Sequence, residues 1–257
     1  MPPNLSVIIL THNERHFLEK LLPTYERERL TDAELIVVDN GSSDNVTEWL
    51  RTAYPWILTV RNENNRGVAG GRNTGIAAAR GEFLLFLDVD TELEPNAIQT
   101  LHAYMRKNDR VAIAGPQLVY PDFSPQYSCR TFPTPLTFVA RAIGASDTNP
   151  IIRKHLMLDE IANAPRSVDW VLGACHIVRR QALKTIGLYD ENFFLVYDDV
   201  DICYRVRRLG WDIMYVPQSV IRHHYQRRSA KAPLWSAHKW SHAKSAIRFF
   251  VKRYINK

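Results

Sequence analysis

The chain has 257 residues, 46% of them hydrophobic, and a formal net charge of +6. That length suits one large α/β domain or two small ones, and the apolar share is enough for a full core, which excludes a disordered or fibrous chain. No apolar run reaches the roughly 18 residues of a membrane span, and Cys129, Cys175 and Cys203 lack metal-ligand spacing, so a disulfide framework is excluded and a reducing, cytoplasmic setting is expected.

In chain order, residues 5–10 (LSVIIL) are a β-branched apolar run that predicts a first strand, followed by the polar loop Thr11-His12-Asn13. The run at residues 7–10 is too short for a signal peptide, so none is expected. Helical spacing of Phe17, Leu18, Leu21 and Leu22 predicts a helix over residues 15–28. Residues 34–38 (ELIVV) predict strand two, ending in the polar turn from Asp39 to Asp44, which also caps a helix over residues 46–54. A short third strand is expected at residues 58–61. The Gly-rich loop 64–71 then leads into a helix at residues 72–79. Residues 83–87 predict strand four, with a helix at 96–107 behind Pro95 and a further strand at 111–114. Strands and helices alternate through this half, which implies a mainly parallel, doubly wound sheet.

Residues 120–165 are rich in proline and carry little period, so they are expected to be loop-rich. Apolar segments at 168–172 and 175–179 bracket Gly173-Ala174. Helices are expected at 181–186, closed by Gly187, and at 199–209, closed by Gly210. A last strand at 212–216 ends at Pro217.

Two acidic clusters carry the chemistry. Asp88-Val89-Asp90 follows strand four, where an open α/β sheet binds its ligands. Two carboxylates one residue apart there suit a divalent cation, and a cation suits a diphosphate, although an Asp-x-Asp also serves as a plain turn or cap. Tyr197-Asp198-Asp199-Val200-Asp201 supplies a separate carboxylate for proton abstraction; its plain alternative is the acidic first turn of a helix. A cation for a leaving group and a base for a nucleophile together describe group transfer from a nucleotide-activated donor.

The segments SVIILTHNE, LIVVDNGSSD, NNRGVAGGRNTGI, FLLFLDVDT, VDWVLGACHIVRR, GLYDENFFLVYDDVDICYRVRRLGW and VPQSVIRHH, in this order, resemble the inverting family 2 glycosyltransferases of GT-A fold, in particular their rhamnosyltransferase-like members. The resemblance implies a GT-A catalytic domain over residues 1–230 with a helical tail at 231–257. It implies Thr11, Asn13, Asp39, Asn65, Gly67, Arg72 and Asn73 at the nucleotide donor, with Asp39 accepting from the base ring N–H. Asp39 as a brace for the Ser42-Ser43 turn is the competing reading. Trp170, Gly173 and Ala174 match the loop beside the donor sugar, with a core position as the alternative for Trp170. Asp88 matches the residue facing the ribose and Asp90 the metal ligand. A histidine from His223-His224 completes a Mg²⁺ or Mn²⁺ site, and spacing from Pro217 favours His223 while spacing to Ser229 favours His224. Asp199, the second member of the Asp198-Asp199 pair, matches the catalytic base, kept ionised by its helix start. The implied partners are a dTDP- or UDP-sugar and a glycan or lipid-linked acceptor at the inner face of the cytoplasmic membrane.

Residues 222–257 contain Lys and Arg but no Asp or Glu, and the tail from Trp235 mixes these cations with Trp and Phe. It suits an amphipathic helix in an anionic membrane interface or one packed back on the domain. A nucleic-acid binder would need stacking aromatics on a basic sheet face, and here the basic excess is confined to the tail. A nucleotidyltransferase would need a Gly-rich basic loop directly after strand one, which Thr11-His12-Asn13-Glu14 does not supply.

Overall fold

The computed structural model of the chain describes residues 3–158, 163–224 and 237–255. Four parallel strands form its first half: β1 (Leu5–Thr11), β2 (Ala33–Asp39), β3 (Leu58–Arg61) and β4 (Phe83–Asp88). β1 lies between β2 and β4, with Thr11 opposite Asp39 and Leu10 opposite Asp88. The C-terminal ends of the strands therefore deliver the polar loops to one edge.

The second half departs from a purely parallel sheet. β5 (Thr91–Leu93), β6 (Val111–Val119), β10 (Cys175–Arg179) and β11 (Asp212–His223) extend it in the order β3-β2-β1-β4-β10-β6-β11-β5. β10 runs antiparallel to both β4 and β6, while β11 is parallel to β6. β8 (Arg166–Ser167) pairs with β11, and β7 (Cys129–Arg130) pairs with β9 (Trp170–Val171) in a two-stranded sheet.

Period-two burial splits the apolar residues between two faces. Leu5, Val7 and Ile9 join one core cluster with α1 (Arg15–Glu28), α2 (Val46–Ala53) and α4 (Ala97–Lys107). Ile8, Ile36 and Val38 join a second cluster with α3 (Gly67–Ala78), α7 (Arg180–Ile186), α8 (Asp198–Arg208) and α9 (Ala237–Tyr254).

Several boundaries differ from expectation. α3 begins at Gly67 rather than at 72, because its glycines let the first turns press onto β1: a Cβ on Gly71 would stand 2.3 Å from Leu10 Cδ1. β11 continues past Pro217 to His223, with its register against β6 broken between Val216 and Val220. The stretch expected to be loop-rich contains α5 (Pro135–Ala142), whose cap Thr134 and Thr137 bond reciprocally, and α6 (Pro150–His155), capped by Asn149. The expected boundary at 230/231 and Trp235 lie outside the described residues. The tail helix α9 is packed on the domain. Phe249 is fully buried against Phe132, Tyr197 and Tyr204, a burial that contributes about 1.5–3 kcal/mol. Lys252 of the same helix reaches Asp201 at 2.6 Å and Asp190 at 3.2 Å.

Candidate active site

The first acidic cluster closes where β4 ends and β11 arrives. Antiparallel pairing of His223 with Thr91 draws the end of β11 alongside Asp90. The ligand-bearing atoms of Asp88, Asp90 and His223 then all lie within 4.8 Å of one another, and His223 Nε2 is 3.5 Å from Asp90 Oδ1. Two carboxylates and an imidazole form a donor set suited to Mn²⁺ or Mg²⁺.

Gln126, a residue that sequence reasoning missed, orients His223. Its Nε2 donates to the carbonyl of His223 at 2.8 Å and lies 3.4 Å from that of Val119. The amide oxygen must therefore be the atom 2.9 Å from His223 Nδ1, so Nδ1 carries the proton and Nε2, which faces Asp90, is the basic nitrogen. His224 is engaged elsewhere. Its Nε2 is 2.6 Å from Glu92 Oε1, and its backbone N–H donates to Asp90 O at 2.9 Å. Of the two histidines, His223 is the one that lies with Asp88 and Asp90.

Arg72 joins the two acidic clusters. It was expected near base and ribose. It is 3% exposed and donates to Asp198 Oδ2, to Gly173 O at 2.7 Å and to Asp88 Oδ1 at 3.3 Å. Gly173 in turn donates its N–H to Asp199 Oδ2 at 2.8 Å, and Val200 N–H donates to Asp199 Oδ1 at 2.8 Å. A Cβ on Gly173 would stand 2.9 Å from Arg72 Nη2 and 3.2 Å from Asp199 Oδ2, so a larger residue here would push on both side chains. Ala174 accepts from Asp88 N–H at 2.9 Å.

Asp198 is 3% exposed and tied to Arg72, whereas Asp199 is only half-buried. Asp199 lies in the first turn of α8, where the Val200 N–H favours its ionised form. Desolvation lifts its pKa, against the pull of Arg72 and two backbone N–H groups. Asp198 is raised too, by burial first, with Arg72 opposing and Asp199 adding repulsion. Asp88 is pushed up to about 6, chiefly by desolvation, with Arg72 opposing and Asp90 reinforcing.

The nucleotide-side residues brace one another. Asp39 is fully buried. It accepts from Ser42 N at 2.7 Å and from Thr47 and Arg61, and these bonds outweigh desolvation and hold its carboxyl below the usual range. Asp39 therefore braces the turn from Ser42 to Thr47. Asn13 adopts φ +58° and accepts from Ser43 N at 2.7 Å. Asn65 accepts from Gly67 N at 2.8 Å and from Asn40 Nδ2 at 3.0 Å. Gly67, at φ +72°, has room for no Cβ, because Phe194 O would lie 2.3 Å away. Asn73 holds the neighbouring loop by bonding both the N–H and the carbonyl of Tyr189 at 3.0 and 2.9 Å. Thr11 Oγ1, at the end of β1, is buried without a hydrogen-bond partner in the described residues. Trp170 is a core residue: 6% exposed, it donates to Thr131 O at 2.9 Å and lies under Arg130. Of its two expected places, beside the sugar or in the core, this burial fits the second: its strand pairing with β7 sets it in the second core cluster.

A family model described as Glycosyl transferase family 2 matches residues 6–187. The N-acetylglucosaminyl-diphospho-decaprenol L-rhamnosyltransferase of Mycobacterium tuberculosis is 26% identical over 263 residues, covering 97% of this chain and 85% of that protein. Among solved structures, the mannosyltransferase PcManGT from Pyrobaculum calidifontis, in complex with GDP-Man and Mn²⁺, superimposes with a TM-score of 0.63 at 18% identity, covering 99% of this chain and 76% of that one. GalNAc-T7, with UDP, GalNAc and Mn²⁺, gives 0.65 at 19% identity, covering 87% of this chain and 44% of that one. These structural likenesses establish the GT-A type of fold.

Proposed function

The chain belongs to glycosyltransferase family 2, and from that premise we propose that it moves a sugar from a nucleoside diphosphate to a hydroxyl of a glycan or lipid-linked glycan, inverting the anomeric carbon. The observation that carries this reading is the single network in which Arg72 joins the Asp88 cluster to the Asp198-Asp199 pair. A donor site and an acceptor base are thereby held at a fixed separation, as a direct displacement requires.

Asp88, Asp90 and His223 would hold Mg²⁺ or Mn²⁺, which supplies neutralisation of charge on the departing diphosphate. Asp199 takes the proton of the acceptor hydroxyl as the sugar–oxygen bond forms. Its partial exposure lets the acceptor approach, and its raised pKa makes it a stronger base than an ordinary carboxylate. Asp198 stays paired with Arg72 and positions the helix start. The turn braced by Asp39 and Asn13, with the unpartnered Thr11 hydroxyl and the half-exposed Arg61 guanidinium, forms the edge at which the nucleotide enters. The L-rhamnosyltransferase relative supports rhamnose as the first candidate sugar, carried on dTDP in this reading with UDP-hexoses next, and its name supports a diphospholipid-linked acceptor.

A thermal-shift panel of nucleoside diphosphates with and without Mn²⁺ tests the reading, because a ligand of the folded state raises its melting temperature. Thymidine or uridine diphosphates are expected to stabilise more than adenosine or guanosine diphosphates, only with Mn²⁺, and not in Asp90→Ala. Equal shifts for all four, or a shift untouched by Asp90→Ala, would contradict it.

A further inference from the structure

Large apolar side chains that remain exposed are concentrated on two neighbouring helices. On α5 and its C-terminal cap these are Leu136, Val139 and Ile143, the last 80% exposed. On α9, Trp240, Ile247 and Val251 recur at helical spacing along the side opposite buried Ala246 and Phe249, and Ile255 continues the stripe at 72% exposure. The two helices are joined: Phe138 meets Phe250 edge to face at 6.1 Å, and Arg253 donates to Pro133 O at 2.9 Å.

The charges on this face have one prevailing sign. α9 contains no acidic residue. Lys252 and Arg253 point inward, to Asp190 and Asp201 and to Pro133 respectively. That leaves exposed Lys244 and half-buried Arg248 interleaved with the apolar stripe. On α5, Arg141 is paired with Asp147 at 3.0 Å. An apolar stripe with a tryptophan, flanked by lysine and arginine, matches a bilayer interface with anionic headgroups. A second copy docking by two-fold symmetry would set the same basic residues against each other.

We propose that α5 and α9 together form a face that seats the enzyme on an anionic phospholipid surface. α9 packs on Tyr197 through His242 and Phe249, at ring separations of 5.6 and 5.8 Å, and Tyr197 directly precedes Asp198-Asp199. The docked helix is thereby in contact with the segment that carries the base. A lipid-carried acceptor meets it at the membrane surface. This purpose rests on the function proposed above, but the docking itself does not.

Co-sedimentation of the full chain with phosphatidylcholine vesicles, with and without phosphatidylglycerol, scores docking without turnover. Binding is expected to require phosphatidylglycerol and to weaken with added salt. The triple variants Leu136→Ser/Val139→Ser/Ile143→Ser and Ile247→Ser/Val251→Ser/Ile255→Ser should each reduce binding about tenfold or more, with melting temperatures unchanged. Lys244→Glu, which leaves the apolar stripe intact, should weaken binding to the anionic vesicles alone. No binding to the phosphatidylglycerol vesicles, or full binding by the α5 triple variant, would overturn the proposal. So would a dimer in light scattering that the same substitutions dissolve. Vesicle binding by a chain found to lack transfer activity would uphold this face and refute the function above.

Discussion

Because both carbonyls around the Gln126 amide nitrogen fix which way that amide points, the proton of His223 is assigned without reference to a metal. Gln126→Leu should lower Mn²⁺ affinity about 10–100-fold, the usual effect of losing such a support, as measured by titration calorimetry; Gln126→Glu, which keeps an acceptor toward Nδ1, should recover much of it. A fall in melting temperature with unchanged Mn²⁺ affinity would leave Gln126 a purely structural residue. Asp199 gives a pH prediction. A base acts only when deprotonated, and burial raises its pKa, so activity must fall as pH drops through that raised value. The acid limb of the turnover profile should then stand clearly above the ordinary aspartate value of about 3.9. A limb at or below that value would contradict the assignment. Asp88, Asp90 and Asp199 were legible because strand ends and acidic spacing mark them in sequence. Gln126 was not, since it meets His223 only through the fold, 97 positions away. Nor were the partners of Arg72 and Trp170 legible, because spacing shows that a residue is near a site but not which neighbours its side chain takes.

Helix α3 shows the same limit at the level of an element. Its first glycines, up to Gly71, look like loop residues, yet Gly71, like Gly75, is where the helix meets β1, and a Cβ on Gly75 would lie 2.4 Å from Ile8 Cγ2. Gly75→Ala should gain up to about 1 kcal/mol of helix propensity and lose about 1–3 kcal/mol to overpacking, for a net destabilisation read by urea unfolding. A stabilised variant would show that Ile8 yields without cost. Strands β1 and β2 were legible as β-branched apolar runs, and β4 as an unbroken run of Phe and Leu. β5, β7 and β8, at two or three residues each, are too short to show a period and exist only through their partners. The antiparallel course of β10 is equally silent in sequence, because a buried central strand is apolar whichever way it runs.

For the molecule as a whole, the tail helix is part of the folded body rather than an appendage. Its Lys252 approaches Asp201, whose side chain is fully buried and otherwise held by Arg205 at 2.8 Å. Lys252→Met should lower stability by about 1–3 kcal/mol, since a buried carboxylate loses one of two cations, and should expose α9 to limited proteolysis; an unchanged melting temperature and cleavage pattern would show the docking to be apolar alone. The central claim is that two acidic clusters joined by Arg72 divide the labour, the Asp88 cluster holding the donor and Asp199 serving the acceptor. Its most direct test is Asp199→Asn, with Mn²⁺-dependent donor binding and single-turnover transfer measured on the same preparation. Donor affinity is expected to stay near that of the unaltered enzyme while transfer falls about 10²–10⁴-fold, the contribution of a positioned general base. Transfer at an undiminished rate, or loss of donor binding in step with transfer, would contradict it.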